Sequence, residues 1–334
     1  MTANMPIYPV WVSRLVFPFR YGKLLAGLLI FIGMWVFLVL GNRAGEIGFF
    51  AELFFAAMFA YLVPIFSLII ERSVATFDAI EGTLDASREE CARWRRDLTH
   101  RSLRWYVAIS TFALIMGLAN IIMAHPQQGR GLVVDILSGN GEYMTYLVTL
   151  LLWLTMTTAI GALIGNAQLF GRLGSRMRIN LLHCPARLAV AQVAIMSTLS
   201  VIGAQVLFVF LIFDAGVGWL DILPGFLTTL LPVLILFLLP VWPLHRRLQR
   251  AKRAELGLIN HQLESVRPQQ VTLLDDAENL SAVTRLLLYR REIQQAPEWP
   301  FDMPALTRLG LYLILPPLTW VAAALIENLV DKLL

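Results

Sequence analysis

The chain has 334 residues, of which 57% are hydrophobic and only 15% charged, and its formal net charge is +4. A mean hydropathy of +0.67 is more apolar surface than a soluble domain can bury, so lipid must cover it. A soluble enzyme or soluble binding module is thereby excluded, and the positive balance reads as contact with anionic lipid head groups, with no nucleic acid.

Residues 1-23 mix Tyr8, Trp11, Phe17, Phe19 and Tyr21 with Arg14 and Arg20, which suits a segment lying in the membrane interface. Two apolar stretches follow, 24-41 and 47-70, each near the roughly 20 helical residues a hydrocarbon core takes. The first is longer than a secretory h-region of about 7–15 residues and no small-x-small site follows it, so it reads as a retained span. Over 71-104, Phe77, Ile80, Leu84, Cys91, Trp94 and Leu98 recur at three- and four-residue steps with one gap at Ser87. That spacing predicts an amphipathic, coiled-coil-like helix running unbroken from the membrane to about His100.

The third and fourth spans are 105-124 and 143-165, and 166-187 reads as a basic interfacial elbow. Spans five and six occupy 188-213 and 222-241. Region 242-303 is predicted to be helical. His245-Arg246-Arg247 opens a basic helix with Leu256, Ile259, Leu263 and Val266 on one side, stopping near Arg267-Pro268. A second helix, capped by Thr272 or Asp275, carries Leu280, Val283, Leu287 and Ile293. The seventh span is 304-326, within a last segment of 304-334. The fold class is all-α: a polytopic membrane bundle of seven transmembrane helices.

Placing the N-terminus inside leaves Arg43, Arg130 and Lys332 as the three basic residues outside, with eight acidic ones: Glu46, Glu52, Asp135, Glu142, Asp214, Asp221, Glu327 and Asp331. The other side then holds 24 basic and 15 acidic residues, and the positive-inside rule gives N-in, C-out. Regions 71-104 and 242-303 are then cytoplasmic extensions, and Ile80, Leu84, Trp94, His245, Arg246 and Leu256 mark a candidate interaction face for a cytoplasmic partner or a second copy in a homo-oligomer. Cys91 and Cys184 lie on the reducing side in no ligand-like spacing and read as packing residues.

No HExxH, GxSxG, Walker or dinucleotide motif is present, and no histidine lies inside a span to hold haem or metal. The expectation is a non-enzymatic protein without a cofactor. Charge and polarity inside spans carry the remaining signal. Glu52 and Glu327, with Asp214, read either as a cation-concentrating vestibule or as groups reaching the outer interface. Thr155, Thr158 and Gln205 read as pore-lining groups or as interhelical hydrogen-bonding groups. Gly161 and Gly165, in GxxxG spacing, read first as a close packing face. Pro316-Pro317 falls near the middle of span seven and frees the carbonyls of Tyr312 and Leu313, which predicts a kink and a candidate gate hinge.

The segment Tyr289 to Asp302, Tyr-Arg-Arg-Glu-Ile-Gln-Gln-Ala-Pro-Glu-Trp-Pro-Phe-Asp, together with the basic stretch from His245 to Leu256, resembles an uncharacterised family of bacterial multi-pass inner-membrane proteins over the C-terminal third. The resemblance implies a bacterial cytoplasmic membrane and no activity; with the C-out orientation given by the Lys and Arg count, the C-terminus is then periplasmic. In outline, seven spans with N-in, C-out topology and a helical base are similar to insect odorant-receptor cation channels, although none of that family's motifs is present. Two function classes follow: a channel or ligand-responsive membrane receptor, and a non-conducting scaffold or regulatory subunit.

Overall fold

The structure, a computed structural model, describes residues 7–19, 21–41, 47–124, 143–178, 181, 185–211, 219–266, 277–301 and 303–333. Among them are nine α-helices: α1 (Gly22–Gly41), α2 (Phe49–Ile80), α3 (Arg88–Thr99), α4 (Leu103–Ala124), α5 (Tyr143–Arg176), α6 (Pro185–Val206), α7 (Trp219–Val266), α8 (Ala277–Gln295) and α9 (Met303–Leu333). Strands β1 (Ile7–Pro9) and β2 (His100–Ser102) pair antiparallel, with Tyr8 opposite Arg101. Seven helices are long and apolar enough to cross a membrane, and each overlaps one of the stretches expected from the sequence.

Burial separates the inner helices from the outer ones. The apolar window of α2 is 61% buried, against 11% for α1 and 17% each for α4 and α9. On α1 Gly22, Ala26 and Leu38 are buried, while Leu24, Leu28, Ile32 and Leu40 present a face suited to lipid. The middle of the bundle is packed by Phe66 and Ile69 of α2, Ala162 and Leu163 of α5, Val201 and Ile202 of α6, and Val233 and Leu236 of α7.

Two close helix crossings follow from prolines that the pattern of apolar residues does not reveal. Pro64 lies inside α2 and cannot donate to the carbonyl of Ala60; Pro243, inside α7, likewise frees that of Leu239. Hydrocarbon offers such carbonyls no water. Each is covered by a glycine of a neighbouring helix: a Cβ added at Gly27 would lie 3.1 Å from the Ala60 oxygen, and one at Gly171 would lie 2.8 Å from the Leu239 oxygen. The Pro64 and Pro243 rings stand 3.3 and 3.5 Å from the same two positions. The hydrogen a glycine carries in place of Cβ therefore points at the freed oxygen, a weak bond of roughly 0.5–1 kcal/mol.

The predicted unbroken helix to His100 is corrected by the structure. α2 ends at Ile80, tightens into a single turn over Glu81–Thr83, and the chain restarts as α3 after an extended stretch. Ser87, the gap in the periodicity, is the N-cap: its side chain accepts from the Glu90 N–H, and the Glu90 carboxylate accepts from the Ser87 N–H. Thr83 to Asp85 then run against the end of α5, with Asp85 N–H donating to Arg176 O (3.0 Å) and Arg178 N–H to Thr83 O (2.8 Å). The expected elbow over 166-187 is likewise corrected, because α5 continues as helix to Arg176. Thr272 and Asp275 lie outside the described residues.

Ile80 and Leu84, expected on a partner-facing surface, are instead buried with Phe77, Cys91 and Leu98 against Phe170 and Leu173 of α5 and Met177 just beyond its end. α5 runs about three turns beyond its apolar stretch and fills the position a partner was expected to take. Trp94 packs at the edge of the same cluster under the Arg176 guanidinium, 5.4 Å from its ring centre.

Gly27→Ala and Gly171→Ala are expected to destabilise the bundle by about 1–3 kcal/mol each, while Gly33→Ala, which meets nothing within 4 Å, does not. Thermal melting in detergent checks the ranking. The Ser87 N–H, and after it Arg176, hold the Glu90 carboxyl below the usual carboxylate range, so the cap stabilises α3 above the unfolded pKa of about 4.3 and is lost as pH falls through the lowered folded value. Hydrogen exchange in α3, corrected for intrinsic rates, is expected to accelerate on acidification in the native protein and to lose that dependence in Glu90→Gln.

Candidate functional site

β2 delivers Arg101 to the foot of α4, where the guanidinium enters the seam between α4 and α5. Its Nη2 donates to the Ala162 carbonyl (3.1 Å) and to Asn166 Oδ1 (2.7 Å), and its Nη1 donates to the Asp97 carbonyl. The group also lies 5.8 Å from the Trp105 ring centre, a cation–π contact. Gly165 makes this seat possible, since a Cβ there would fall 2.9 Å from Nη2. One turn earlier, a Cβ at Gly161 would meet Ile109 at 2.7 Å and Trp105 at 3.2 Å. The GxxxG pair is thus the face on which α4 packs. Arg101 Nε and Asn166 Nδ2 are buried without a hydrogen-bond partner in the protein.

Beside this seam lies a cleft of about 460 Å³ whose walls include Asp97, Arg101, Gln168 and Arg172. Two guanidinium groups against one carboxylate give it a net positive charge. Its inner wall, Ile109, Gly161 and Ile164, is shared with a second cavity of about 690 Å³ deeper in the bundle. That cavity lies among α2, α4, α5 and α6, with walls that include Phe66, Met116 and Met156, and Pro232 of α7 and Trp320 of α9 also border it. Two hydroxyls in its wall are turned back on their own helices: Thr157 Oγ1 donates to Trp153 O (2.6 Å) and Ser200 Oγ to Ser197 O (2.7 Å). The interior is consequently apolar in its chemistry as well as its shape.

The helix around the deep end is tied by side chains to main-chain oxygens. Trp320 Nε1 donates to the Gln205 carbonyl (3.1 Å) and Tyr61 Oη to the Ser200 carbonyl (3.0 Å). α9 runs as helix through Pro316 and Pro317, with Thr319 Oγ1 donating to the Pro316 carbonyl (2.8 Å). Trp320 stands three residues after Pro317, so the proline pair and the cavity wall lie on one stretch of α9.

Of the residues singled out in the sequence, Gln205 borders the deep cavity, whereas Glu52, Thr155 and Thr158 are not among the described residues that line it. Thr155 Oγ1 donates to Leu151 O (2.8 Å), its own helix, and Thr158 is buried to 1% exposure. Glu52 is buried in the first turn of α2. Glu327 lies on α9, with only its backbone described, and Asp214 lies outside the described residues. His245 and Arg246 belong to an aromatic group: His245 stacks on Trp299 at 3.9 Å, its Nδ1 is 2.9 Å from the Glu298 carbonyl, and Arg246 lies over Trp242. Leu256 is half-buried on α7. Among the described residues no group of three His, Cys, Asp or Glu side chains is placed to hold a metal ion.

No family model matches the chain, and neither a curated protein nor a solved structure matches it.

Replacing Arg101 strands the Ala162 and Asn166 acceptors in a buried seam, so Arg101→Gln is expected to cost about 1–3 kcal/mol, whereas exposed Arg104→Gln is near neutral. Chemical denaturation in mixed micelles distinguishes them; equal midpoints would remove Arg101 from its structural role.

Proposed function

We propose that the protein is an integral protein of the bacterial cytoplasmic membrane, N-terminus inside and C-terminus in the periplasm, that receives an apolar or amphipathic molecule from the bilayer as a membrane receptor or sensor. The observation that carries this reading is the cavity of about 690 Å³, within the roughly 300–1,000 Å³ usual for ligand sites and lined, as those are, by apolar and aromatic side chains. The skewed distribution of Lys and Arg supports the orientation. In that orientation the Arg101–Arg172 cleft opens toward the cytoplasmic leaflet.

Against an ion channel within one chain stands the chemistry of the wall: its Thr157 and Ser200 hydroxyls bind their own backbone, and an ion needs coordinating oxygens or water. The element that reports occupancy is α9, because Trp320 borders the cavity and bonds the end of α6 just beyond Pro316–Pro317. One observation favours a second reading, a scaffold or regulatory subunit. Leu258 on α7 and Leu287 and Leu288 on α8 are exposed at 62%, 47% and 57%, an apolar surface outside the spans expected from the sequence that a cytoplasmic partner or a second copy would cover.

Solvent extraction of the protein purified in mild detergent is expected to release a hydrophobic molecule stoichiometric with the chain, and Ile160→Trp, which fills the cavity, is expected to remove it. Reconstituted protein is expected to pass no ions. A cation conductance that falls in Glu52→Gln, with no co-purifying molecule, would overturn the receptor reading in favour of a channel.

A further inference from the structure

The cleft and the cavity are neighbours, and their chemistries are those of the two ends of one lipid. We propose that the ligand is an anionic amphiphile, its carboxylate or phosphate head held by Arg101 and Arg172 in the cleft and one acyl chain passing Ile109 and Gly161 into the apolar cavity. The inference rests on the receptor reading above and adds the class of ligand.

Four features support it. First, Arg101 places a positive charge in the wall of the cleft, and its Nε is a buried donor with no acceptor in the protein, while both Nη groups are held by the protein itself. Second, Gln168 and Arg172 are exposed on α5, one and two turns beyond Ile164 in the wall the two spaces share, so they add a donor amide and a second positive charge at the mouth. Third, the length fits: from Leu103, where α4 begins, to Met116 is thirteen residues, about 20 Å of helical rise, which reaches from the interface past the roughly 15 Å of one leaflet's half of the hydrocarbon core. An extended acyl chain with its head at the interface spans that distance. Fourth, the cavity is reached from the side. Phe112 lines it yet is 51% exposed on α4, so a second acyl chain of a phospholipid remains in the bilayer while the first enters.

Asp97 decides between head groups. Asp97 borders the cleft, and its one negative charge against two guanidinium groups leaves room for one further negative charge. A choline head has no donor to give Asp97 and adds a bulky cation beside Arg172, so phosphatidylcholine is discriminated against.

The experiment offers detergent-purified, delipidated protein an equimolar mixture of dioleoyl phosphatidylglycerol, phosphatidylethanolamine and phosphatidylcholine, with sodium oleate in a separate arm, and reads the bound species by native mass spectrometry. The expected result is one adduct of phosphatidylglycerol, oleate or both, preferred over phosphatidylcholine about tenfold, as two exposed charge pairs of ordinary strength would give. Phosphatidylglycerol retained and oleate not retained identifies a bilayer lipid as the source; the reverse identifies a free acid. Gln168→Glu and Arg172→Gln, both at exposed positions, are expected to cut the preference about threefold each without moving the melting temperature. Met116→Trp, or Ile160→Phe should the first fail to fold, is expected to remove the adduct. Equal retention of all head groups, or preference for phosphatidylethanolamine, overturns this inference and leaves the apolar-ligand reading standing. An anionic adduct that persists in the filled-cavity variants also overturns it, by putting the head on the surface alone. No adduct of any amphiphile overturns both readings.

Discussion

A main-chain oxygen inside a membrane must be covered by protein, and the way this chain meets that demand fixes how its helices approach one another. Pro64 and Pro243 each release a carbonyl, and Gly27 and Gly171 each close over one. Only a residue without Cβ comes that near. The crossings α1 on α2 and α5 on α7 are therefore determined by two proline–glycine pairs rather than by the bulk of apolar side chains, which in lipid gains little from burial.

The same absence of Cβ on α5 has a different consequence along its other face. Gly161 and Gly165 let α4 close in far enough for Arg101 to bond the Ala162 carbonyl and Asn166 within the seam. Arg101 joins β2, and through it the strand Ile7–Pro9, to the middle of α5. Because Gly161 and Ile109 line both the charged cleft and the apolar cavity, one packing arrangement produces both the structural lock and the place where the two chemistries of the candidate site meet. α5 is thus the helix on which the bundle and the site converge: it packs on α4 through glycines, on α7 through Gly171 and Gly174, and on α2 through Leu163 and Phe170.

The seven spans were legible because mean hydropathy over 20 residues reports membrane crossing almost independently of packing, and the GxxxG of α5 was legible as a packing face for the same reason that it works. The break after α2 was legible in principle, since Ser87-Arg88-Glu89-Glu90 is a capping-box pattern; the apolar three-and-four periodicity continues across it and hides it. Three features were not legible. Arg101 looks like any other basic residue near a span end, and only Gly165 and Asn166, more than sixty residues away, make it an interior group. The freed carbonyls of Ala60 and Leu239 are implied by the prolines, but their covering glycines lie on other helices. Ile80 and Leu84 read as an exposed stripe because nothing in their own segment shows that α5 extends beyond its apolar stretch to bury them. The cavity itself is a joint property of six helices, while the carboxylates that stood out in the sequence did so because charge in a span is rare, a local criterion that says nothing about convergence.

The most direct test of the account is a density map of the protein in nanodiscs containing phosphatidylglycerol. An elongated, unbranched density is expected in the cavity among Phe66, Met116, Met156 and Trp320, continuous past Ile109 and Gly161 to a head-sized feature at Arg101 and Arg172. A cavity holding discrete ordered waters connected to both faces, or one closed by repacked side chains, would contradict it.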